Sequence, residues 1–183
     1  MDFTLMSERL VLRSLTSDMA PAVTRFYKNN LSYLSAWEPN LSDKYLTDDF
    51  NEAVLKYEFE KTCHGECIRY WFSLKEDPDT LLGSVVFQNI AHGALKKCEI
   101  GYKLDCSSTG KGYATEACDR AVSHILSSGN LHRIIAMIDV SNSHSINLAE
   151  RIGFVREGLL SSYVLIGGRW RDCYLYSKIR KND

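Results

Sequence analysis

The chain has 183 residues, a length that fits one domain, and its 45% apolar and 25% charged residues suffice for a core without staples. A formal charge of −1 removes any global electrostatic reason to bind nucleic acid or an anionic membrane, so neither is expected as a partner. Six cysteines with no export signature point to reduced thiols and a cytoplasmic location.

In chain order, MDFTLMSERLVLRSL does not read as a signal peptide, because Arg9 and Arg13 interrupt any apolar stretch. No segment approaches the roughly 18 apolar residues needed to span a bilayer. Residues 9–15 (RLVLRSL) alternate as a first strand. Ser17 and Asp18 are placed to cap a helix over 18–29, with Pro21 tolerated in its first turn. The pattern over 31–42 is irregular. Thr47-Asp48 opens a second helix over 48–62, apolar at Phe50, Val54, Leu55 and Phe59. The segment 63-CHGEC-67 has metal-ligand residue types, but no second ligand pair matches it and no metal is expected.

The period then changes to two, predicting strands over 68–75, 81–89 and 96–104, the first two joined by the turn 76-EDPDT-80. A helix over 112–127 carries the apolar stripe Ala114, Ala117, Cys118, Ala121, Val122 and Ile125, and Gly129-Asn130 ends it. A strand over 132–140, a short helix over 143–152, and strands over 155–166 and 170–179 joined by Gly167-Gly168 complete the chain. The order β-α-α-β-β-β-α-β-α-β-β predicts an α+β domain. It would be built on one mixed, mostly antiparallel sheet of about seven strands with about four helices, containing one parallel or splayed pair.

Two segments carry chemistry. In 107-SSTGKGYATEA-117 a tight glycine turn leads straight into a helix, where free backbone N–H groups can hold an anion. It is neither a P-loop nor a dinucleotide fingerprint, and by itself it fits a plain helix entry equally well. In 139-DVSNSHSINLAERIGF-154 the polar residues Asn142, Ser143, His144, Ser145 and Asn147 crowd one first turn, of which an N-cap explains only one.

Together with 9-RLVLRSL-15, 99-EIGYKL-104, 110-GKGYATEA-117, 142-NSHSINLAERIGF-154, 157-EG-158 and 168-GRWRDCYLYS-177, these segments make the chain resemble the GCN5-related N-acetyltransferase (GNAT) superfamily. Within it, the chain is most similar to the RimJ/RimL-like ribosomal-protein N-terminal acetyltransferase branch. The resemblance runs over about residues 8–179 and implies a single N-acetyltransferase domain of GNAT fold with acetyl-CoA as acetyl donor.

By that resemblance, the backbone of Ile100, Tyr102 and Leu104 meets the pantetheine arm. The amides of Gly110, Lys111, Gly112, Tyr113 and Ala114 hold the pyrophosphate, with Lys111 as a countercharge. Asn142 and Asn147 complete the coenzyme contacts. The family's usual Gln or Arg at the first motif position is Ser107 here, which weakens the motif but not a grip made by main-chain amides. A tyrosine that often supports the leaving thiolate is replaced by Ala149, while Ser145 matches a serine placed near the sulfur in this branch. Glu99 is the candidate base, with Asp172 and Glu157 as rivals.

The resemblance implies a protein N-terminus, such as that of a ribosomal protein, as acceptor. An α-amine has a pKa of about 7.7–8.0 against about 10.4 for lysine, so it needs roughly 3.4 kcal/mol less deprotonation work. A site without an evident dedicated base suits it. Two alternatives stay open: a small-molecule amine, with 48-DDFNE-52 contributing acids to its pocket, and a non-catalytic acyl-CoA sensor. A homodimer is also open. Tyr33, Trp37, Tyr45, Tyr70, Trp71 and Trp170 are candidates either for an acceptor cleft or for packing.

Overall fold

The computed structural model describes residues 3–39, 41–128 and 130–180. Among them, eight strands form one sheet: β1 (Thr4–Met6), β2 (Leu10–Arg13), β3 (Ile68–Leu74), β4 (Gly83–Ala91), β5 (Lys97–Leu104), β6 (Arg133–Asp139), β7 (Val155–Ile166) and β8 (Arg169–Ile179). The helices are α1 (Ala20–Leu34), α2 (Asp48–Cys63), α3 (Tyr113–Ser127) and α4 (Ser143–Arg151). The strand order is β1-β2-β3-β4-β5-β6-β8-β7, antiparallel except for the β5–β6 pair.

The eighth strand is β1, whose three residues are too few to show a period and which pairs with β2 from Thr4↔Arg13 to Met6↔Val11. Helix α1 starts later and ends later than the predicted 18–29. Ser17–Met19 form a 3-10 turn, and the residue before α1, Met19, makes no side-chain cap. The helix continues to Leu34 because Asn30 and Leu34 extend its buried stripe of Val23, Phe26 and Tyr27. Asn30 is fully buried, so a polar residue hid that stripe from a hydrophobicity reading. Helix α3 ends at Ser127, and its expected terminator Gly129 lies outside the described residues.

Alternation along the central strands builds a core on each face of the sheet. Tyr70 and Phe72 of β3 point toward α3 and α4, where they join Val85, Phe87, Cys98, Ile100, Ala121 and Val122. Trp71 points the other way, joining Val23, Phe26, Tyr27, Leu34 and Leu55 from α1 and α2. A side chain as fully buried as Phe72 contributes about 1.5–3 kcal/mol of hydrophobic stabilisation. Burial pushes the Cys98 thiol up to about 12, with the charge of Glu99 adding to it, so that cysteine stays protonated.

The feature that shapes the site is a split. β5 and β6 pair only at Lys97↔Arg133, Cys98↔Ile134 and Glu99↔Ile135. Beyond that point β5 stays with β4 as far as Leu104↔Gly83, and β6 stays with β8 as far as Asp139↔Cys173. One edge of β5 from Ile100 to Leu104 is therefore free of a ladder partner.

Candidate active site

The glycine turn lies at the far end of the split. Gly110 and Gly112 have φ of 76° and 80°, a left-handed conformation that only glycine adopts cheaply. A Cβ on Gly110 would meet nothing within 4 Å, and one on Gly112 would meet only Arg9 Nη2 at 3.4 Å. The space above the turn is open, as an approaching ligand requires. Gly112 is the N-cap of the 15-residue α3 and offers no side-chain cap, so the first-turn N–H groups stay available to an anion. These observations fit a diphosphate held by the amides of Gly110 to Ala114.

Side chains around the turn serve to hold it. Ser107 and Ser108 donate to Asp105 Oδ2, and Asn30 Nδ2 donates to Asp105 Oδ1 at 2.9 Å. Cys106 N donates to Asn30 Oδ1 at 2.8 Å. Burial works against ionised Asp105, but the bonds from Ser107, Asn30 and Ser108 outweigh it and hold its carboxyl below the usual range. Ser107 thus anchors the loop. Tyr113 lies under the Arg9 guanidinium, 4.6 Å from ring centroid to Cζ, leaving its main chain for a ligand. Lys111 is exposed, and its carbonyl accepts from Arg9 Nη1 at 3.0 Å.

Across the split, the turn after β6 is organised by Asp139, which accepts from Ser141 N at 2.8 Å, Ser141 Oγ at 2.6 Å and Arg171 Nη1 at 3.1 Å. Asn142 is the N-cap of α4, and its Oδ1 accepts from Ser145 N at 3.0 Å. Its oxygen thus already accepts one bond within the cap, and its amide nitrogen is the donor it offers a coenzyme. Ser145 sits in the first turn, half-buried, and its carbonyl accepts from Tyr102 Oη at 3.1 Å. That bond spans the gap between β5 and α4. The Tyr102 hydroxyl donates its one proton to that bond, and the Tyr102 backbone lies on the free edge of β5. Asn147 is exposed on the next turn, and Ala149 is packed in the core at 2% exposure, where a tyrosine would not fit without rearrangement.

Glu99 is the last β5 residue paired with β6, at the apex of the split. It lies on the face opposite Cys98, Ile100 and Tyr102, toward α1 and α2, so Glu99 and the Tyr102–Ser145 bridge approach the gap from opposite faces. Asn89 Nδ2 donates to Glu99 Oε2 at 2.7 Å from a β4 bulge where Asn89 takes φ of 53°. The rival carboxylates have other work. Asp172 Oδ1 accepts from Ser162 N at 2.7 Å within the irregular β7–β8 pairing. Glu157 accepts two 2.7 Å bonds from Arg133 Nη1 and a 2.6 Å bond from Ser177 Oγ, and those bonds hold its carboxyl down.

Of the aromatic candidates, Tyr45 and Trp71 line a cavity between the sheet and α1–α2, whereas Tyr33 and Trp170 are exposed and Tyr70 is core. Asp48, Asp49 and Glu52 of DDFNE face solvent, and its Asn51 is the residue turned inward. Among the described residues, no group of three His, Cys, Asp or Glu side chains is gathered as for a metal. Sequence reasoning missed Arg9, Glu116, Asp139 and Asn89, whose partners are remote or lie in irregular backbone. An acidic residue in the first turn of α3 was the one signal available for Glu116.

The family profile described as "Acetyltransferase (GNAT) domain" matches residues 9–155. The [ribosomal protein uS5]-alanine N-acetyltransferase of Escherichia coli (strain K12) is 31% identical over 170 residues, covering 92% of this chain and 86% of that protein. The crystal structure of the ribosomal-protein-S5-alanine acetyltransferase from Vibrio fischeri superposes with a TM-score of 0.93 at 28% identity, covering 99% of this chain and 98% of the other. Mycobacterium smegmatis RimJ, in complex with CoA-disulfide, superposes with a TM-score of 0.86 at 28% identity, over 93% and 81% of the two chains. With an uncapped glycine turn and a split sheet in the same frame, this chain belongs to the GNAT family of acetyl-CoA-dependent N-acetyltransferases.

Proposed function

We propose that this acetyltransferase acts on the N-terminal α-amine of a protein, a ribosomal protein being the acceptor class named for its uS5-alanine relative. The observation that carries this reading is the β5–β6 split, with an amide-lined turn at one end and two faces open to different reactants. When bound, acetyl-CoA supplies an activated acetyl thioester. The amides of Gly110 to Ala114 would hold its pyrophosphate, the free edge of β5 from Ile100 to Leu104 its pantetheine arm, and Asn142 Nδ2 and Asn147 would add polar contacts. Ser145 Oγ is the group that delivers a proton toward the sulfur. Glu99, on the other face, takes the amine proton through water. Asn89 holds the Glu99 carboxylate in place.

Such an acceptor puts the enzyme in the cytoplasm within this reading. A homodimer belongs to the same proposal, since the edge strand β7 leaves Val155, Leu159 and Leu165 exposed, and sedimentation tests it. The small-amine alternative loses its motivating feature, because the acids of 48-DDFNE-52 point to solvent. The deciding experiment measures thiol release with acetyl-CoA held fixed against peptides with free N-termini, polyamines and amino acids. Higher kcat/KM on the peptides supports the proposal. Turnover confined to small amines replaces it, and coenzyme binding without turnover on any acceptor leaves only a sensor.

A further inference from the structure

The three buried side-chain polar atoms that lack a hydrogen-bond partner among the described residues are Glu38 Oε1, Asn51 Oδ1 and Trp71 Nε1, and all three residues line one cavity. It lies between the sheet and the α1–α2 layer and has a volume of about 230 Å³. Buried polar atoms cost free energy unless something meets them, and native structures rarely leave several in one place. The orientation of Asn51 is dictated by its surroundings. Its Nδ2 faces the Tyr45 and Thr47 carbonyls at 2.8 and 3.0 Å, so the amide cannot be flipped and Oδ1 must be the atom left over. Asn51 is 0% exposed and Trp71 3%.

The charges around the cavity are already matched. Lys103 Nζ pairs with Glu38 Oε2 at 2.8 Å and donates to Tyr27 Oη at 2.9 Å. Arg69 Nε pairs with Glu58 Oε1 at 2.8 Å. A further ion would be desolvated without a counter-ion, which is costly. A neutral group is not penalised in this way. The unmet atoms comprise two acceptors and one donor, and a primary carboxamide offers two N–H groups and one carbonyl. The volume is below the roughly 300 Å³ at which pockets begin to enclose drug-sized ligands, so it suits a side chain rather than a whole cofactor.

The cavity also reaches toward the proposed base, Glu99. Gln88 lines it and is the register partner of Glu99. Lys103, on its far side, is four residues from Glu99 on the same strand face, about 13 Å away. Between them Gly101 contributes no side chain.

We infer that this cavity is an acceptor subsite that takes a side-chain carboxamide, Asn or Gln, from one of the first two residues of the peptide. The inference rests on the protein-N-terminus reading above. The test uses two readouts on short peptides carrying Asn, Gln, Asp or Leu at position one or two. In a Trp37→Phe/Trp170→Phe background only the Trp71 indole remains, and its Nε1–H resonance is followed by NMR. Asn or Gln peptides are expected to shift that resonance and to show kcat/KM at least about tenfold above their Asp and Leu counterparts in the unmodified enzyme. Trp71→Phe, which keeps the ring contacts to Phe26 and Tyr27 but removes the donor, should erase the preference. Equal shifts from all peptides, or no shift because the cavity holds ordered water only, overturns the inference even if every peptide is acetylated. A carboxamide-specific shift without acetyl transfer supports the subsite and sinks the proposed activity instead.

Discussion

Arg9 and Glu116 are 107 residues apart, yet Arg9 donates to the Glu116 carboxylate at 2.7 Å from both its backbone N and its Nε. Ser7 Oγ adds a third bond at 2.7 Å. The same guanidinium reaches the Lys111 carbonyl and covers Tyr113, so the β1–β2 hairpin acts as a clamp on the turn that receives the coenzyme. Arg9→Ala is expected to raise KM for acetyl-CoA several-fold with a smaller change in kcat, because the turn is loosened while Ser145 and Glu99 are untouched. Steady-state kinetics with acetyl-CoA varied checks this. A pure kcat defect would contradict the clamp.

Gly112→Ala places a β-carbon on a residue at φ of 80°, which costs roughly 1–2 kcal/mol in local backbone energy. The added carbon also stands where a phosphate would approach. The coenzyme Kd should rise by more than about thirtyfold, beyond what strain of that size explains. Calorimetric titration with CoA gives the number, and Gly93→Ala, at φ of 68° in a remote turn, is the control that should leave it unchanged.

Ser145→Ala should reduce kcat by about 10²-fold, the lower end of what one proton donor contributes, and leave coenzyme affinity nearly intact. The separation is expected because the cap and the Tyr102 bridge use the backbone N and O of Ser145, which alanine retains. Single-turnover rates at saturating acetyl-CoA measure the effect. A variant with native kcat removes Ser145 from the chemistry.

Glu99→Gln should lower kcat/KM at neutral pH and recover much of it as pH rises past about 8, where an α-amine deprotonates unaided. The pH–rate profile is the readout. A uniform loss at every pH would mark Glu99 as a positioning group instead of a base.

Stability should fall at acid pH. Burial opposes ionisation of Asp105, Glu116 and Asp139, but hydrogen bonds from Ser107, Arg9 and Ser141 respectively, with their further partners, win and hold all three below the usual carboxylate range. A carboxyl depressed in the folded state stabilises fully above its unfolded value of about 4 and loses that contribution as pH falls through the folded value. Denaturant unfolding between pH 7 and 3 should therefore show declining stability toward acid, with a shallower slope in Asp105→Asn. Asn30→Ala, which removes the partner of Asp105 Oδ1 and of the Cys106 amide while Ser107 and Ser108 still bond Oδ2, should cost about 1–3 kcal/mol in total for the two hydrogen bonds.

Much of the fold was legible because local patterns agreed with tertiary packing. Of the predicted stripe, Ala117, Cys118, Ala121, Val122 and Ile125 are buried in α3 as their spacing predicted, while Ala114 in its first turn is only half-buried. Failures came where a residue's role depends on something distant. Asn30 broke the apolar period of α1 because it serves Asp105, 75 residues on. Ser107 read only as a departure from the motif, because its acceptor, Asp105, could not be identified from composition or period.

The linear chain by itself determined which residues turn the backbone, which faces are apolar and which family pattern is present, since glycine conformation and side-chain periodicity are local properties. Tertiary structure alone decided that β5 and β6 part after Glu99, that Arg9 clamps the glycine turn, and that Glu38, Asn51 and Trp71 surround one cavity. Those relationships arise from strand register and from hydrogen bonds between segments as much as 114 residues apart, which no local pattern encodes.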